Sequence, residues 1–184
     1  FARMGESRYA GLDLELRGIV KEKGLRAEDP FDQVVARAEV IDLPAGATFS
    51  DVVREVSVLL ADRTGFPART IQDDFLRERD VDMVPIAGAA ALPHLRLAID
   101  QPELVIVRAR DGVPMRDLSA LDADERRSAT VVAIFFLASP ESNPGQHLRL
   151  LGHLATHVDD DAFLDQWLGA RNDDELRATL LREE

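Results

Sequence analysis

The segment Thr130-Val131-Val132-Ala133-Ile134-Phe135-Phe136-Leu137-Ala138 is the stretch of the chain that decides the fold. From Val131 onward it is apolar without interruption, and it is rich in β-branched and aromatic side chains. A strand with one side in solvent alternates apolar and polar residues, so a continuous run of this length indicates a strand covered on both faces. We therefore expect a central strand at 130–138, with helices on either side of its sheet.

Two other segments are predicted to be strands. Residues 38–43 form a short extended segment that ends before a proline, and Leu104–Val107 is rich in branched residues. The pair Asp111-Gly112 is expected to form a turn after the second of these strands. The charged residues 116–128 are expected to form a loop that leads into the central strand.

Helical spacing and capping residues predict two helices before the central strand. Ser50 is expected to cap a helix that runs to Thr64, because apolar residues follow it at helical spacing and Gly65 provides a stop. A second helix is expected over Ala68–Arg79. These helices would cover part of the predicted sheet.

Three helices are predicted after the central strand. Asn143 is the expected cap of the first, because proline follows it at the first helical position, and this helix should run to Val158. The second is expected near Asp161–Ala170. The third is expected to begin at Asn172, with Glu175 completing a capping box, and to run to about residue 182.

Charge and composition exclude several functional classes. The 184 residues include 22 Lys and Arg against 34 Asp and Glu, which gives a net charge of −12 and a pI of about 4.8. Nucleic acids and anionic membranes are bound by clustered cations, so we expect no nucleic-acid partner. The absence of cysteine excludes disulfides and thiolate metal sites.

Length and hydropathy bound the organisation of the chain. A chain of 184 residues suits one domain with an additional arm. The longest apolar run, Val131–Ala138, is far shorter than the roughly 20 residues that a membrane-spanning helix needs. No signal peptide is recognisable. Because the sequence begins with Phe1 rather than Met, we expect it to be cut from a longer protein.

The four histidines are the candidate functional residues. Pro93 has a fixed φ angle and favours an extended residue before it, so His94 should leave an extended segment at a defined angle. His147 should lie on the apolar face of the helix at 143–158, in its first turns, where free N–H groups and the helix dipole favour an anion. The pattern alone fits a satisfied core histidine equally well. His153 and His157 have a metal-ligand spacing but no third ligand, which favours a solvated surface.

Several segments between residues 33 and 184, taken in order, resemble one protein family. They are Phe75-Leu76-Arg77-Glu78, Ala90-Ala91-Leu92-Pro93-His94-Leu95-Arg96, Val131-Val132-Ala133-Ile134-Phe135-Phe136-Leu137-Ala138-Ser139-Pro140, Gln146-His147-Leu148-Arg149-Leu150-Leu151-Gly152-His153-Leu154-Ala155, Asp161-Ala162-Phe163-Leu164-Asp165-Gln166-Trp167-Leu168 and Asp174-Glu175-Leu176-Arg177-Ala178-Thr179-Leu180-Leu181. Their order and spacing resemble the type-2 enzyme IIA domain of the phosphoenolpyruvate-dependent sugar phosphotransferase system, the mannitol, fructose and nitrogen-regulatory class.

The resemblance implies a fold and a site. The fold would be α/β, a three-layer α-β-α sandwich with a central mixed sheet. His94, in the position of the family's Pro-His motif, would accept a phosphoryl group from a histidine phosphocarrier protein and hand it on. His147 would match the second histidine of the site, and Arg77 the site arginine, although Arg79 is close enough in register to be the equivalent. This chemistry needs a neutral imidazole as nucleophile, and it requires no metal and no other cofactor.

The chain departs from the family pattern before the Pro-His motif. The family's glycine-rich run is replaced here by a segment that contains Asp80 and Asp82, which would place negative charge near an incoming phosphoryl group. Two alternatives to a phosphohistidine or regulatory domain of a membrane transporter stay open. One is a stand-alone phosphocarrier of the sugar or nitrogen-regulatory system, and the other is a non-catalytic ligand- or protein-binding module.

The N-terminal arm carries a second, weaker resemblance. Residues 8–17, 23–25 and 29–31 look like the connector that joins such domains to the membrane part of bacterial amino-acid permeases or related transporters. We expect an arm at 1–32, with a short helix at 11–24, and an enzyme IIA-like domain at 33–184. The expected function is a phosphohistidine or regulatory domain that controls amino-acid or other solute transport. The expected partners are the membrane transporter domain of the same polypeptide, a phosphocarrier protein and a second copy of the chain in a homodimer. The domain would be cytoplasmic and tethered to the inner membrane through the parent chain.

Overall fold

The computed structural model describes residues 30–78, 89–116 and 128–181. The chain divides into two compact units, Phe1–Gln33 and Val34–Glu184. The elements in chain order are α1 (Pro30–Ala36), β1 (Glu39–Asp42), α2 (Phe49–Thr64), α3 (Ala68–Glu78), β2 (Ala90–Ala91), β3 (His94–Leu97), β4 (Glu103–Arg116), β5 (Ser128–Pro140), α4 (Pro144–Val158), α5 (Phe163–Gly169) and α6 (Asp173–Leu180). None of the helices in these ranges has the length and apolarity needed to cross a bilayer.

Some of the predictions concern residues outside these ranges. The predicted helix at 11–24 lies outside the described residues, and so do Arg79, Asp80 and Asp82. Of the predicted charged loop, residues 117–127 also lie outside them.

Strand β5 is the centre of a mixed sheet. It pairs antiparallel with β4 on one side and parallel with β2 and β3 on the other. β1 lies parallel to β4 on the far side, so the order is β1-β4-β5-β2, with β3 also paired to β5. The predicted central strand is thus confirmed, and it is longer than the apolar run because it includes both flanks, from Ser128 to Pro140.

Successive residues of β5 pack into different layers. The ring of Phe136 stacks on Phe49 of α2 at a centroid distance of 6.1 Å and meets Phe75 of α3 edge-on at 5.1 Å. The ring of Phe135 meets Trp167 of α5 edge-on at 5.3 Å. Because neighbouring side chains of a strand point to opposite faces, helices cover both sides of β5. This confirms the three-layer α-β-α sandwich.

Strand β4 is much longer than the sequence suggests. Its pairing with β5 changes register between Arg108 and Val113, and Gly112 within this bulge has a φ of +77°. A Cβ atom on Gly112 would lie 2.1 Å from Cγ2 of Thr130, so only glycine fits. The predicted turn at Asp111-Gly112 is therefore wrong. Gly112 lies in a β-bulge instead, and strand β4 continues beyond it.

The cap of helix α2 is Thr48, two residues before the predicted cap. Thr48 is extended, and its hydroxyl accepts from the backbone N–H of Asp51. The carboxylate of Asp51 in turn accepts from the N–H of Thr48, which completes a capping box. Ser50 lies inside the first turn, so the prediction of a Ser50 cap is wrong. The predicted stop at Gly65 is confirmed by its φ of +76°.

Helix α6 has the predicted cap, Asn172, but only one of the two hydrogen bonds of the predicted capping box. The side chain of Asn172 accepts from the N–H of Glu175. The Glu175 carboxylate accepts from the backbone N–H and the guanidinium of Arg171, one residue before the cap. The predicted capping box is therefore only half present, because an arginine next to the cap competes for the carboxylate.

Candidate functional site

His94 lies where the chain enters β3. The carbonyl of Pro93 accepts from the N–H of Leu137 at 3.0 Å, and His94 pairs with Leu137 in the parallel ladder. The Nδ1 atom of the half-buried His94 ring is 2.8 Å from the carbonyl oxygen of Leu92. A carbonyl can only accept, so Nδ1 carries the proton and the neutral ring keeps a free lone pair on Nε2.

His147 lies in the first turns of α4, as the helical pattern predicts. The side chain of Asn143 caps this helix by accepting from the N–H of Gln146, and Pro144 occupies the first turn. The His147 residue is only 7% exposed. Its Nδ1 atom lies 2.7 Å from Oγ of Ser139, which is fully buried near the end of β5. The strand end and the capped helix start therefore fix the ring from two sides.

The two imidazoles meet. Their ring centroids are 5.1 Å apart, and the ring planes are tilted by 53°. His94 lies in the chain before the central strand and His147 after it, so only the folded sheet brings them together. The expected juxtaposition of His94 and His147 is confirmed, while their catalytic role stays a prediction.

The surroundings keep His147 neutral. Burial lowers the pKa of its imidazole, and the electrostatic influence of the neighbouring His94 ring and of the Arg96 guanidinium lowers that pKa further. A histidine with a lowered pKa is uncharged at neutral pH and therefore carries one N–H, on one ring nitrogen. Which nitrogen holds this proton decides whether the ring offers a donor or a lone pair to a ligand.

Arg96 is a cation that sequence reasoning did not single out. It lies two residues after His94 on β3, and residues at this spacing share one face of a strand. The side chain is exposed, and within the described parts of the chain no carboxylate forms an ion pair with it. The two-residue spacing from the Pro-His motif was the available signal.

Arg77 is placed elsewhere. Its side chain is 75% exposed at the end of α3, and it donates to the carboxylate of Asp74 at 3.1 Å. Helix α3 packs on the face of β5 that bears Phe136, whereas His94 pairs with Leu137 and so belongs to the opposite face. No contact described for Arg77 joins it to either imidazole. Its role as the site arginine stays a prediction, and Arg79 lies outside the described residues.

The start of α4 offers fewer free donors than expected. Pro144 has no N–H, the N–H of Gln146 is used by the Asn143 side chain, and that of His147 by the Asn143 carbonyl. Of the backbone N–H groups expected to be free at this helix end, those of Gln146 and His147 are therefore already used. A ligand there would depend on the imidazoles and the arginine for hydrogen bonds, with the helix dipole adding a weaker attraction.

The other two histidines lie further along α4. His153 is exposed, and Nδ1 of the half-buried His157 bonds to the carbonyl of His153 at 2.8 Å. In the described ranges, no three histidine or acidic side chains are grouped so that they could hold a metal ion. Neither residue belongs to the His94–His147 pair.

Solved structures with the same fold come from the phosphotransferase system. The nitrogen regulatory protein IIA-Ntr of Neisseria meningitidis aligns with a TM-score of 0.69 at 21% identity, covering 83% of this chain and 99% of that one. The IIA mannitol protein of Escherichia coli aligns at 0.57 and 14%, covering 77% and 95%. The E. coli mannitol IIA, solved in a complex with phosphorylated IIB, aligns at 0.59 and 13%, covering 78% and 94%. No curated protein matches the chain.

A family model matches most of the sequence directly. The model for the "Phosphoenolpyruvate-dependent sugar phosphotransferase system, EIIA 2" aligns with residues 37–183. This span contains the whole sheet, α2 to α6 and both imidazoles of the site. The chain belongs to the type-2 EIIA family of the phosphoenolpyruvate-dependent sugar phosphotransferase system.

Proposed function

We propose that Nε2 of His94 accepts a phosphoryl group and that the domain passes it on or signals by it. The observation that carries the proposal is the bond between Nδ1 of His94 and the Leu92 carbonyl, 2.8 Å long, with the His147 ring beside it. The bond holds the proton on Nδ1, so Nε2 has the lone pair that a nucleophile needs.

Phosphoryl transfer to His94 forms one bond to phosphorus and breaks another, and it requires no metal. The Nε2 lone pair of His94 forms the new N–P bond while the electron pair of the donor's bond to phosphorus returns to the donor's leaving atom. The proton on Nδ1 stays in its hydrogen bond to Leu92. The protein's part is therefore to hold the imidazole in line and to stabilise the charge on the transferring oxygens.

Two groups are available for that charge. His147 can offer one N–H, and Arg96 offers a guanidinium on the same strand face as His94. Arg77, which the family resemblance implies as the site arginine, stays a further candidate, although its side chain pairs with Asp74 at the end of α3. We assign the primary role to Arg96 because its charge already acts on His147.

We also propose a phosphocarrier protein as the donor. In the E. coli complex, the mannitol IIA is bound to a phosphorylated protein, IIB. In this chain, Leu148 and Arg149 follow the buried His147 on α4 and are exposed, Leu148 to 68%, and Arg96 is exposed on β3. An exposed leucine and exposed arginines suit a protein partner that brings a phosphoryl group.

The transporter role is proposed from the arm alone. The connector-like residues 8–31 support a regulatory domain of a bacterial membrane transporter, cytoplasmic and tethered through the parent chain, that controls amino-acid or other solute transport. Solute uptake by the parent protein should then respond to His94→Ala. Uptake that keeps its normal regulation in this variant would favour a non-catalytic module.

Labelling tests the phosphoryl proposal. The domain should acquire an acid-labile phosphoryl group when it is incubated with phosphoenolpyruvate and the general phosphotransferase proteins. His94→Ala should abolish the label, whereas His153→Ala, which changes an exposed histidine of α4, should keep it. A wild-type domain that stays unlabelled at every donor concentration would contradict the proposal.

A further inference from the structure

Ser139 has a buried hydroxyl group that contacts the candidate site through the side chain of His147. It lies near the end of β5, fully buried, and its Oγ is 2.7 Å from Nδ1 of His147. In the parallel ladder it pairs with Arg96, and Leu137 two residues earlier pairs with His94. Ser139 therefore lies on the same sheet face as both groups that would meet a phosphoryl anion.

The hydrogen bond between Ser139 and His147 can run in either direction. A hydroxyl can donate or accept, and a neutral imidazole has one donor nitrogen and one acceptor nitrogen. If Nδ1 of His147 donates, Nε2 is left with a lone pair. If the Ser139 hydroxyl donates, Nδ1 is the acceptor and the single proton of the ring is on Nε2.

We propose that Ser139 donates its proton to Nδ1 of His147 and so holds His147 as an Nε2–H donor for the phosphoryl group on His94. The inference rests on the proposed function, because the anion decides between the two directions. A lone pair on Nε2 would repel the phosphoryl oxygens, whereas an N–H would bind them. Burial lowers the pKa of His147, so at neutral pH the ring of the free domain has a single proton, and the site depends on which nitrogen holds it. Ser139 is thus a positioning residue that acts through His147.

The first measurement reads the tautomer directly. Two-bond ¹H–¹⁵N correlation spectra of the wild-type domain distinguish a protonated from an unprotonated Nδ1. We expect His147 to have an unprotonated Nδ1 and a protonated Nε2, the opposite of His94. A protonated Nδ1 on His147 overturns the inference, whether or not the protein is labelled.

The second measurement uses variants. Ser139→Ala should populate both tautomers of His147 and slow the labelling of His94 about tenfold, the rate effect of losing one well-placed hydrogen bond. Ser139→Thr keeps the hydroxyl and should restore both the spectrum and the rate. Ser57→Ala is the matched control, because Ser57 is another fully buried serine, bonded to the Val53 carbonyl within α2.

The outcomes separate the two proposals. Labelling of Ser139→Ala at the wild-type rate, in a protein that folds as judged by its spectrum, overturns the role of Ser139 but leaves His94 as the acceptor. An unlabelled wild-type domain contradicts the proposed function instead. In that case, the tautomer spectrum still shows whether Ser139 fixes the ring.

Discussion

His94 and His147 are both anchored through Nδ1, and the anchors differ in kind. His94 donates to the carbonyl of Leu92, whereas His147 bonds to the hydroxyl of Ser139. The ring centroids lie 5.1 Å apart, with both Nδ1 atoms engaged by the protein. The two Nε2 atoms are therefore left for a ligand, as the proposed roles of His94 as nucleophile and His147 as donor require.

The first prediction concerns the charge next to His147. Arg96→Gln removes one of the positive charges that lower the pKa of His147, so its titration midpoint should rise. The midpoint should stay below the ordinary value of about 6.5, because burial, the larger cause, is unchanged. A pH titration of the ring resonances by NMR measures this shift. Arg149→Gln, which removes an exposed positive charge from helix α4, should leave the titration midpoint of His147 unchanged. An equal shift in both variants would refute the assignment to Arg96.

The second prediction follows from the same lowered pKa. The folded protein binds the His147 proton more weakly than the unfolded chain does. This contribution to stability is therefore complete above the unfolded pKa of about 6.5 and is lost as the pH falls below it, towards the folded pKa. Urea unfolding between pH 7 and pH 5 should show a shallower pH dependence in His147→Gln than in the wild type. Identical slopes would show that His147 is not the titrating group.

The third prediction concerns the ion pair between the buried Arg108 of β4 and the partly exposed Asp42 of the neighbouring strand β1. Arg108 is 2% exposed and bonds to Asp42 and to the carbonyl of Trp167, and the hydrogen bond with Arg108 holds the pKa of Asp42 below its usual range. Asp42→Ala should lower the free energy of unfolding by about 2 kcal/mol, because it leaves a buried guanidinium without its counter-charge. Arg54→Ala, which breaks an exposed ion pair with Asp51, should cost less than about 1 kcal/mol. Equal costs in chemical denaturation would contradict this.

The fourth prediction compares two glycines. Gly112→Ala places a methyl group against Thr130 at a positive φ and should destabilise the domain by about 1–3 kcal/mol. Gly152→Ala, in the middle of α4 with open space at its Cβ position, should stabilise it by about 0.5–1 kcal/mol. Thermal unfolding of both variants checks the opposite signs. A tolerated alanine at Gly112 would mean that the bulge is absent.

The course of β4 and the site could be predicted only in part, and the reasons are local. The central strand was recognisable because β5 is buried on both faces, and α4 because Asn143 and Pro144 mark its start. The continuation of β4 was hidden because Gly112 and Pro114 are typical of turns, and only pairing with β5 keeps them in a strand.

The partners of the histidines were harder to infer. The meeting of His94 with His147 followed from the resemblance, but the bond to Ser139 depends on which strand face the serine occupies. The position of Arg77 relative to the imidazoles could not be predicted from the sequence. A helix pattern shows which residues are exposed, but not which side of a sheet the helix covers. That side is set by tertiary packing, here by Phe75 against Phe136.

The most direct test of the account is the position of the N–P bond. After labelling with phosphoenolpyruvate and the general phosphotransferase proteins, ¹H–¹⁵N spectra of the phosphorylated domain identify the substituted ring nitrogen. The bond of His94 Nδ1 to Leu92 predicts phosphorus on Nε2 of His94. Phosphorus on Nδ1 of His94, or on any other histidine, would contradict it.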